Sequence, residues 1–379
     1  MRTQPTRMQR RGFTLVELLI VMLLASIIVV ATYMMFSSSS EAFHHQELIS
    51  EVNNSLRFAA QQLHHDLSRA GFQSTAHSGQ DPFVCDSITP PILGVQVDRS
   101  ATPQNCGGGG PYLSQSLAVV GDMSDMPPFP LFSISGGSLI VSSDVRVPLP
   151  PESRLESGLL MLDAAMVQPS ADLVAANFIE NDWLRMVNPK GRSHFSRITG
   201  VSGMNITVSP PFVTSSSDGV CGFSLAAGES HEINPIRAVR YEIVCNSAID
   251  QDRTDLVRCQ VDPRDPFSGD GSNCVVVAEY VTALSFFLGS DTLENLDVMV
   301  DLDPSTEESF TTNVPFYVLY RIEARTRRAV PRRLSVSTSD LLPQPGAPRA
   351  YYDLGAGIAE LRSVQGRVEL TNNILGALP

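Results

Sequence analysis

The stretch that most limits how this chain can fold is one without breaks. From Phe13 to Ala70, 58 residues run without a glycine or a proline, although the 379-residue sequence holds 26 of each. Gly71 follows at once, and glycine ends helices readily because it adopts the left-handed backbone without steric cost. The positions Leu48, Val52, Leu56, Ala59, Leu63, Leu67 and Ala70 step by 4, 4, 3, 4, 4 and 3, which puts them on one helical face. The pattern predicts a nearly continuous helix of 58 residues, about 87 Å long at 1.5 Å per residue. Ser37–Ser40 are weak helix formers, so a bend or fraying is expected there.

The two halves of this helix differ. Phe13–Phe36 is a run of 24 residues with a single charge, Glu17. At about 36 Å it is long enough to cross a hydrocarbon core of about 30 Å. Arg2, Arg7, Arg10 and Arg11 precede it with no acid among them, so the positive-inside tendency places residues 1–12 in the cytoplasm and the body on the other side. A secretory signal has a shorter apolar core followed by a small-residue cleavage site. Here the suitable small residue, Gly12, comes before the core. Glu17 is the anomaly. A carboxylate at the centre of a membrane helix costs roughly 2.5–3.5 kcal/mol, whereas near the end it reaches the interface. A plain anchor has no use for it.

Gly12 followed by "FTLVELLIVMLLASIIV" resembles the class III signal of type IV prepilins and pseudopilins: a basic leader, Gly-Phe, a glutamate at fixed spacing and an uncut apolar helix. The resemblance implies that prepilin peptidase cuts between Gly12 and Phe13, that Phe13 becomes the N-methylated first residue, and that Glu17 is the assembly glutamate. It also supplies the physics of Glu17. The amine freed at Phe13 and a neighbour's carboxylate neutralise each other in an apolar helix bundle, drawing each subunit into register. The implied partners are the peptidase, other minor pilins, the major pilin and the assembly platform of the inner membrane. The implied location is the inner membrane, single-pass with a periplasmic body, and then a fibre at the cell surface.

The formal charge is −13, and four of the 27 basic residues lie in the first twelve positions. An acidic body repels phosphate backbones, so no nucleic-acid partner is expected. "RIEARTRRAVPRR" places six arginines between Arg321 and Arg333, which reads as a solvated strand face. Six cysteines, Cys85, Cys106, Cys221, Cys245, Cys259 and Cys274, all lie beyond the apolar run without a CxxC or zinc-type spacing. An even count beyond a membrane segment suits disulfides. Proximity along the chain suggests 85–106, 221–245 and 259–274 among the 15 pairings that six cysteines allow.

After Gly71 the apolar runs become short and β-like. "SLAVVGD", "SLIVSSDVRV" and "GLLMLDA" (Gly158–Ala164) read as strands. "HFSRITGVSGMNITVSPPF" reads as a hairpin turning at "GVSG", and "RAVRYEIVCN" with "DLVRCQV" as a second hairpin. "VVVAEYVTALSFFLG", "PFYVLYRIEAR" and "GRVELTNN" follow as strands, while "ADLVAANFIENDWLRMV" suits a short helix or an irregular crossover. This order, with "SLRFAAQQLHHDLSRAGF", resembles PilW-type minor pilins, and J-type pseudopilins of type II secretion share the layout. The expected fold class is α+β, a long N-terminal helix packed on an antiparallel sheet in a pilin-like roll. The expected segments are a cleaved leader (1–12), a membrane half (13–36), an amphipathic half (37–72), a disulfide-tied loop (73–115) and a β-rich domain (116–379).

Catalytic motifs are missing. "GVSGM" lacks the last glycine of a nucleophile elbow, "CGGGG" lacks the lysine of a phosphate loop, and there is no HExxH. His44-His45 and His64-His65 are adjacent pairs, which point about 100° apart on a helix and chelate poorly. No enzyme activity and no cofactor are expected. Two acidic runs bear on calcium: Asp250, Asp252 and Asp255, and then Asp297, Asp301, Asp303, Glu307 and Glu308. Neither has a complete calcium-loop pattern, and both read as solvated acids. Trp183 reads as a core or interface aromatic. The resemblance implies a structural subunit that primes or caps a pilus. The alternatives are a secretion pseudopilin and a ligand-binding tip subunit that uses the 73–115 loop and the 304–313 insert.

Overall fold

A computed structural model describes residues 15–85, 88–98, 104–106, 111–124, 126–135, 137–143, 147–148, 166–212, 221, 231–248, 252–269, 271–289, 317–327, 351–353 and 358–370. The chain divides into two units, Met1–Glu51 and Val52–Pro379.

One helix, α1 (Leu15–Ser68), runs unbroken for 54 residues. The helix, expected to bend or fray at Ser37–Ser40, does not fray there. Each serine costs only about 0.5 kcal/mol against alanine, and a helix already nucleated on both sides absorbs that. The expected stripe is the buried face: Val52, Leu56, Ala59, Leu63, Leu67 and Ala70 are all buried. Gly71, at φ +69, ends the helix, and its N–H donates to Val120 O at 2.9 Å.

The strands, in chain order, are β1 (Val95–Asp98), β2 (Gln104–Asn105), β3 (Pro111–Ser114), β4 (Ser116–Gly121), β5 (Phe129–Ser135), β6 (Ser138–Val141), β7 (Val147–Pro148) and β8 (Met166–Val167). A short helix, α2 (Ala171–Asn177), is capped by the Ser170 hydroxyl. Then come β9 (Trp183–Val187), β10 (Ser193–Ser202), β11 (Asn205–Ser209), β12 (Glu232–Cys245), β13 (Thr254–Val261), β14 (Ser272–Glu279), β15 (Val281–Gly289), β16 (Tyr317–Arg325), β17 (Tyr351–Asp353) and β18 (Ile358–Glu369). Both expected hairpins form, as β10–β11 and β12–β13. The run Gly158–Ala164 lies outside the described residues.

The 14-residue β12 organises the second unit because it serves two sheets. Its first residues pair with β9 on one side and β5 on the other. From β5 the antiparallel ladder passes through β6, β11 and β10 back to β9, closing a six-stranded ring. One apolar cluster draws on all six strands, including Phe129, Leu139, Met186, Ile198, Ile206 and Ile233, with Val174 and Phe178 added from α2 and the residue after it. The remainder of β12 pairs with β4 and β13, flanked by β1 and β14.

A separate six-stranded sheet runs β17-β18-β16-β15-β3-β2, antiparallel except for β15–β3. The largest core cluster joins the buried helix face to both sheets: Leu117, Tyr241, Ile243 and Leu256 from one, Leu284, Phe286, Val318 and Ile322 from the other. The expected α+β architecture is therefore present. What the pattern did not foretell is the closed ring and the division of the remaining strands into two sheets over one helix.

Candidate functional site

The first described turn of α1 carries the residue that the sequence singles out. Glu17 is the only charged residue between Leu15 and Phe36, and every side chain in that stretch is exposed. Leu15, Tyr33, Met35 and Phe36 each expose more than 70 % of their surface. The described residues contain one helix long and apolar enough to cross a membrane, this one, near the N-terminus. An uninterrupted apolar surface of this length is unstable in water and suits lipid or other apolar helices. Gly12 and Phe13 lie outside the described residues.

Lower on the same helix, the residues after Val52 are held to the sheet by a polar clamp. Asp66 is 2 % exposed, and its Oδ2 accepts from the Tyr241 hydroxyl at 2.5 Å and from Arg258 Nε at 2.6 Å. Burial, reinforced by the neighbouring Asp66 carboxylate, pushes the Tyr241 phenol far above its ordinary value, so it donates at every physiological pH. Cross-strand pairing aligns these partners, since Tyr241 on β12 faces Arg258 on β13. The clamp was not anticipated. Its signal was available, however: a single acid, Asp66, interrupts an otherwise apolar and small stripe one position before Leu67.

Beyond the clamp the backbone closes up. A Cβ on Gly121 would lie 2.2 Å from Arg69 O, so only glycine permits this crossing. Phe72 O accepts from Asp122 N at 2.9 Å. Asp122 is 1 % exposed; its Oδ1 accepts from Ser124 N and Oγ, and burial raises its pKa above the ordinary value despite those bonds.

All six cysteines are bonded, but two of the three neighbour pairings fail. The bridges are Cys85–Cys221, Cys106–Cys245 and Cys259–Cys274, with sequence separations of 136, 139 and 15. Pairing by proximity ignores that strands distant in sequence are neighbours in a sheet. Cys85 N donates to Ser193 O beside β10, and Cys245 ends β12. The 73–115 segment is therefore not tied to itself. It contributes β1, β2 and β3 and is bridged at both of its cysteines to later parts of the chain.

The arginine run also departs from expectation. Arg325 is completely buried, not solvated; it pairs with Asp252 at 2.8 Å and stacks over Tyr280 at 4.8 Å. Arg321 is nearly buried beside Glu323, and Arg328, Arg332 and Arg333 lie outside the described residues. The same network answers the first acidic run. Asp255 is 0 % exposed and bonded to Arg253 at 2.7 Å, so it is not a solvated acid, while the half-buried Asp252 is engaged by Arg325. Asp250 and the run Asp297, Asp301, Asp303, Glu307 and Glu308 lie outside the described residues. Among those described, no group of three or more His, Cys, Asp or Glu side chains is placed to hold a metal ion. His44, His64 and His65 are exposed on α1. Trp183 is buried in a small cluster with Ile92, Phe195 and Ile236, with Arg264 at 5.4 Å over its ring.

Compared with known families, residues 7–33 match the prokaryotic N-terminal methylation motif. No curated protein and no solved structure matches the chain. The matched residues include Arg7, Arg10 and Arg11 of the basic leader, Gly12, Phe13, Glu17 and the start of the exposed helix. This motif supports the general class of type IV pilin-like and pseudopilin proteins, anchored in a membrane by the N-terminal helix and structural in role.

Proposed function

We propose that this chain is a minor pilin of a type IV pilus: a structural subunit that prepilin peptidase cuts between Gly12 and Phe13, that is methylated at Phe13, and that joins other minor pilins to initiate or cap the fibre. The observation that carries this reading is the methylation motif at residues 7–33, which overlaps the start of an unbroken helix whose Leu15–Phe36 stretch is exposed, apolar and charged only at Glu17. The peptidase, the major pilin and the assembly platform of the inner membrane are its partners. Before assembly the chain sits in the inner membrane with residues 13–36 in lipid and the body in the periplasm.

In this reading the Phe13 amine meets a Glu17-type carboxylate of a neighbouring subunit. Two opposite charges compensate each other's desolvation only when correctly placed, and that requirement sets the axial register of the helices. The body contributes contact surfaces rather than chemistry. The J-type pseudopilins share the motif and the layout, and the same experiment separates the two machines.

The test expresses tagged full-length protein in a piliated host that also has a type II secretion system. Wild-type chain is expected to begin at methylated Phe13 by mass spectrometry and to appear in sheared pili. Gly12→Ala should retain the leader and stay out of the fibre, whereas Glu17→Leu should be processed yet remain in the membrane. Wild-type chain that keeps its arginine-rich leader would sink the proposal. A processed chain that is absent from pili but whose deletion blocks secretion assigns it to the secretion machine instead.

A further inference from the structure

We propose that the Cys259–Cys274 disulfide is a thiol-exchange site of the folded protein: an external thiolate attacks Cys274, Cys259 leaves as a thiolate beside Arg240, and Cys274 keeps the incoming thiol as a mixed disulfide. The inference concerns the second unit alone and does not rest on the pilin reading.

Access differs between the two cysteines. Cys274 lies on β14, where every residue from Ser272 to Val276 is exposed. Cys259 lies on β13 and is 1 % exposed. Among the described residues β14 pairs with β13 and with no other strand, so no strand covers its outer edge. An incoming thiolate therefore meets Cys274 and not Cys259.

The departing sulfur has a cation beside it. Arg240 on β12 is the register partner of Cys259, and directly opposed residues share a face with Cβ atoms about 4.5–5.5 Å apart. Arg240 is buried; its Nη1 donates to Pro266 O at 3.1 Å and to Gly269 O at 3.2 Å, and its Nη2 to Glu242 Oε1 at 2.6 Å. Its Nε is buried with no acceptor among the described residues. The guanidinium thus reaches the loop just before Gly271, where a Cβ would lie 3.3 Å from Cys259 Sγ. A neighbouring guanidinium favours the thiolate, and a disulfide opens faster when its departing sulfur is the better thiolate. Cys106 has the opposite surroundings. It belongs to the apolar cluster of Leu56 and Tyr112, and its Sγ lies 3.1 Å from Arg253 O, a carbonyl that repels negative charge. Attack on its exposed partner Cys245 therefore has a poor leaving group. Cys85 and Cys221 are both half-buried.

In the exchange one S–S bond forms, between the external sulfur and Cys274 Sγ, and one breaks, between Cys274 Sγ and Cys259 Sγ. The negative charge passes from the attacking thiolate to Cys259. A second thiolate attacking the external sulfur completes the reduction. It displaces Cys274 as a thiolate and leaves as a disulfide of the two external thiols, so two electrons have passed to the protein. Opening spares the β12–β13 ladder and the other two bridges, so the body stays folded. It frees the first half of β14. Beyond the β13 ladder, Ser272 Oγ and Asn273 Nδ2 donate to Gln260 O and Oε1 at 3.4 and 3.3 Å, while Val277 and Ala278 stay in the core.

The test incubates the detergent-solubilised full chain, without denaturant, with glutathione or with a thiol–disulfide oxidoreductase stripped of its resolving cysteine. Alkylation and peptide mapping by mass spectrometry then locate the adduct. It is expected on Cys274 with Cys259 free, at least tenfold faster than either other bridge opens. Reaction with glutathione assigns a small thiol as sufficient; reaction with the oxidoreductase alone assigns an enzyme. Earlier opening of Cys85–Cys221 or Cys106–Cys245, an adduct on Cys259, or no reaction with either reagent overturns the proposal. Arg240→Gln should slow the opening at least tenfold, and Arg240→Lys, which keeps the charge, should restore most of the rate. If Arg240 only tethers the 266–269 loop, its loss speeds the opening or leaves it unchanged, and either result overturns its role as the positioning residue. Hydrogen exchange of 272–276 should rise with the adduct while 281–289 stays protected; equal loss in both marks general unfolding and overturns the proposal.

Discussion

Asp66 is worth more to this molecule than its place in the sequence suggests. It accepts two hydrogen bonds while 2 % exposed, so removing it strands a buried phenol and a guanidinium together. Asp66→Ala is expected to cost about 3 kcal/mol, and Tyr241→Phe, which leaves the Arg258 pair intact, about 1–2 kcal/mol; urea unfolding of the detergent-solubilised full chain measures both. Asp122 acts in the opposite sense. Its pKa is raised by burial, so the native state holds the proton more tightly than the unfolded chain does. Its contribution to stability is fully present below the ordinary value of 3.8 and is lost as pH rises through the higher folded value. Between those two values stability should therefore increase on acidification, and the slope should shrink in Asp122→Asn. Asp182, raised by burial against the pull of Arg237, adds a slope of the same sign.

At the scale of elements, glycines decide how closely chains pass. The end of α1 crosses β4 where Gly121 has no Cβ to meet Arg69 O. Gly121→Ala must push these backbones apart and is expected to cost about 1–3 kcal/mol, read as a lowered denaturation midpoint with an unchanged slope. Two other glycines face rings across a ladder: Gly289 pairs with Tyr317 and Gly366 with Tyr320, each ring lying over the glycine. These pairs were not legible in the chain, because cross-strand partners are set by register and not by neighbourhood. The helical stripe was legible, because all its positions lie on one element and the 3.6-residue period alone assigns them. Arg325 shows the converse. Its charged run reads as surface, yet Asp252 and Tyr280, brought from earlier in the chain, make burial tolerable.

At the scale of the whole molecule, the second unit is cross-linked by three disulfides and the first is an exposed helical segment. Bridges closing loops of 136 and 139 residues each restrict the unfolded chain by about 5 kcal/mol taken singly in the chain-entropy model. Two such spans make the body's stability strongly dependent on oxidation. The first unit has no comparable support, and its exposed leucines, isoleucines and valines need an apolar environment. The full chain is therefore expected to stay monodisperse in detergent micelles and to associate when detergent is removed, which sedimentation velocity will check.

Read alone, the chain determined what is local and periodic: the helix and its buried face, the apolar span with its one carboxylate, the methylation motif, and most strands with both hairpins. Each of these follows from residues within a few turns or one hairpin of each other. Only the folded structure decided which cysteines meet, that β12 closes a ring and then changes sheet, and that the buried Asp66 and Arg325 find their partners in Arg258 and Asp252. Those outcomes join residues far apart in sequence, and their energies come from desolvation and from the entropy of closing long loops. Neither quantity exists until the partners are brought together in space.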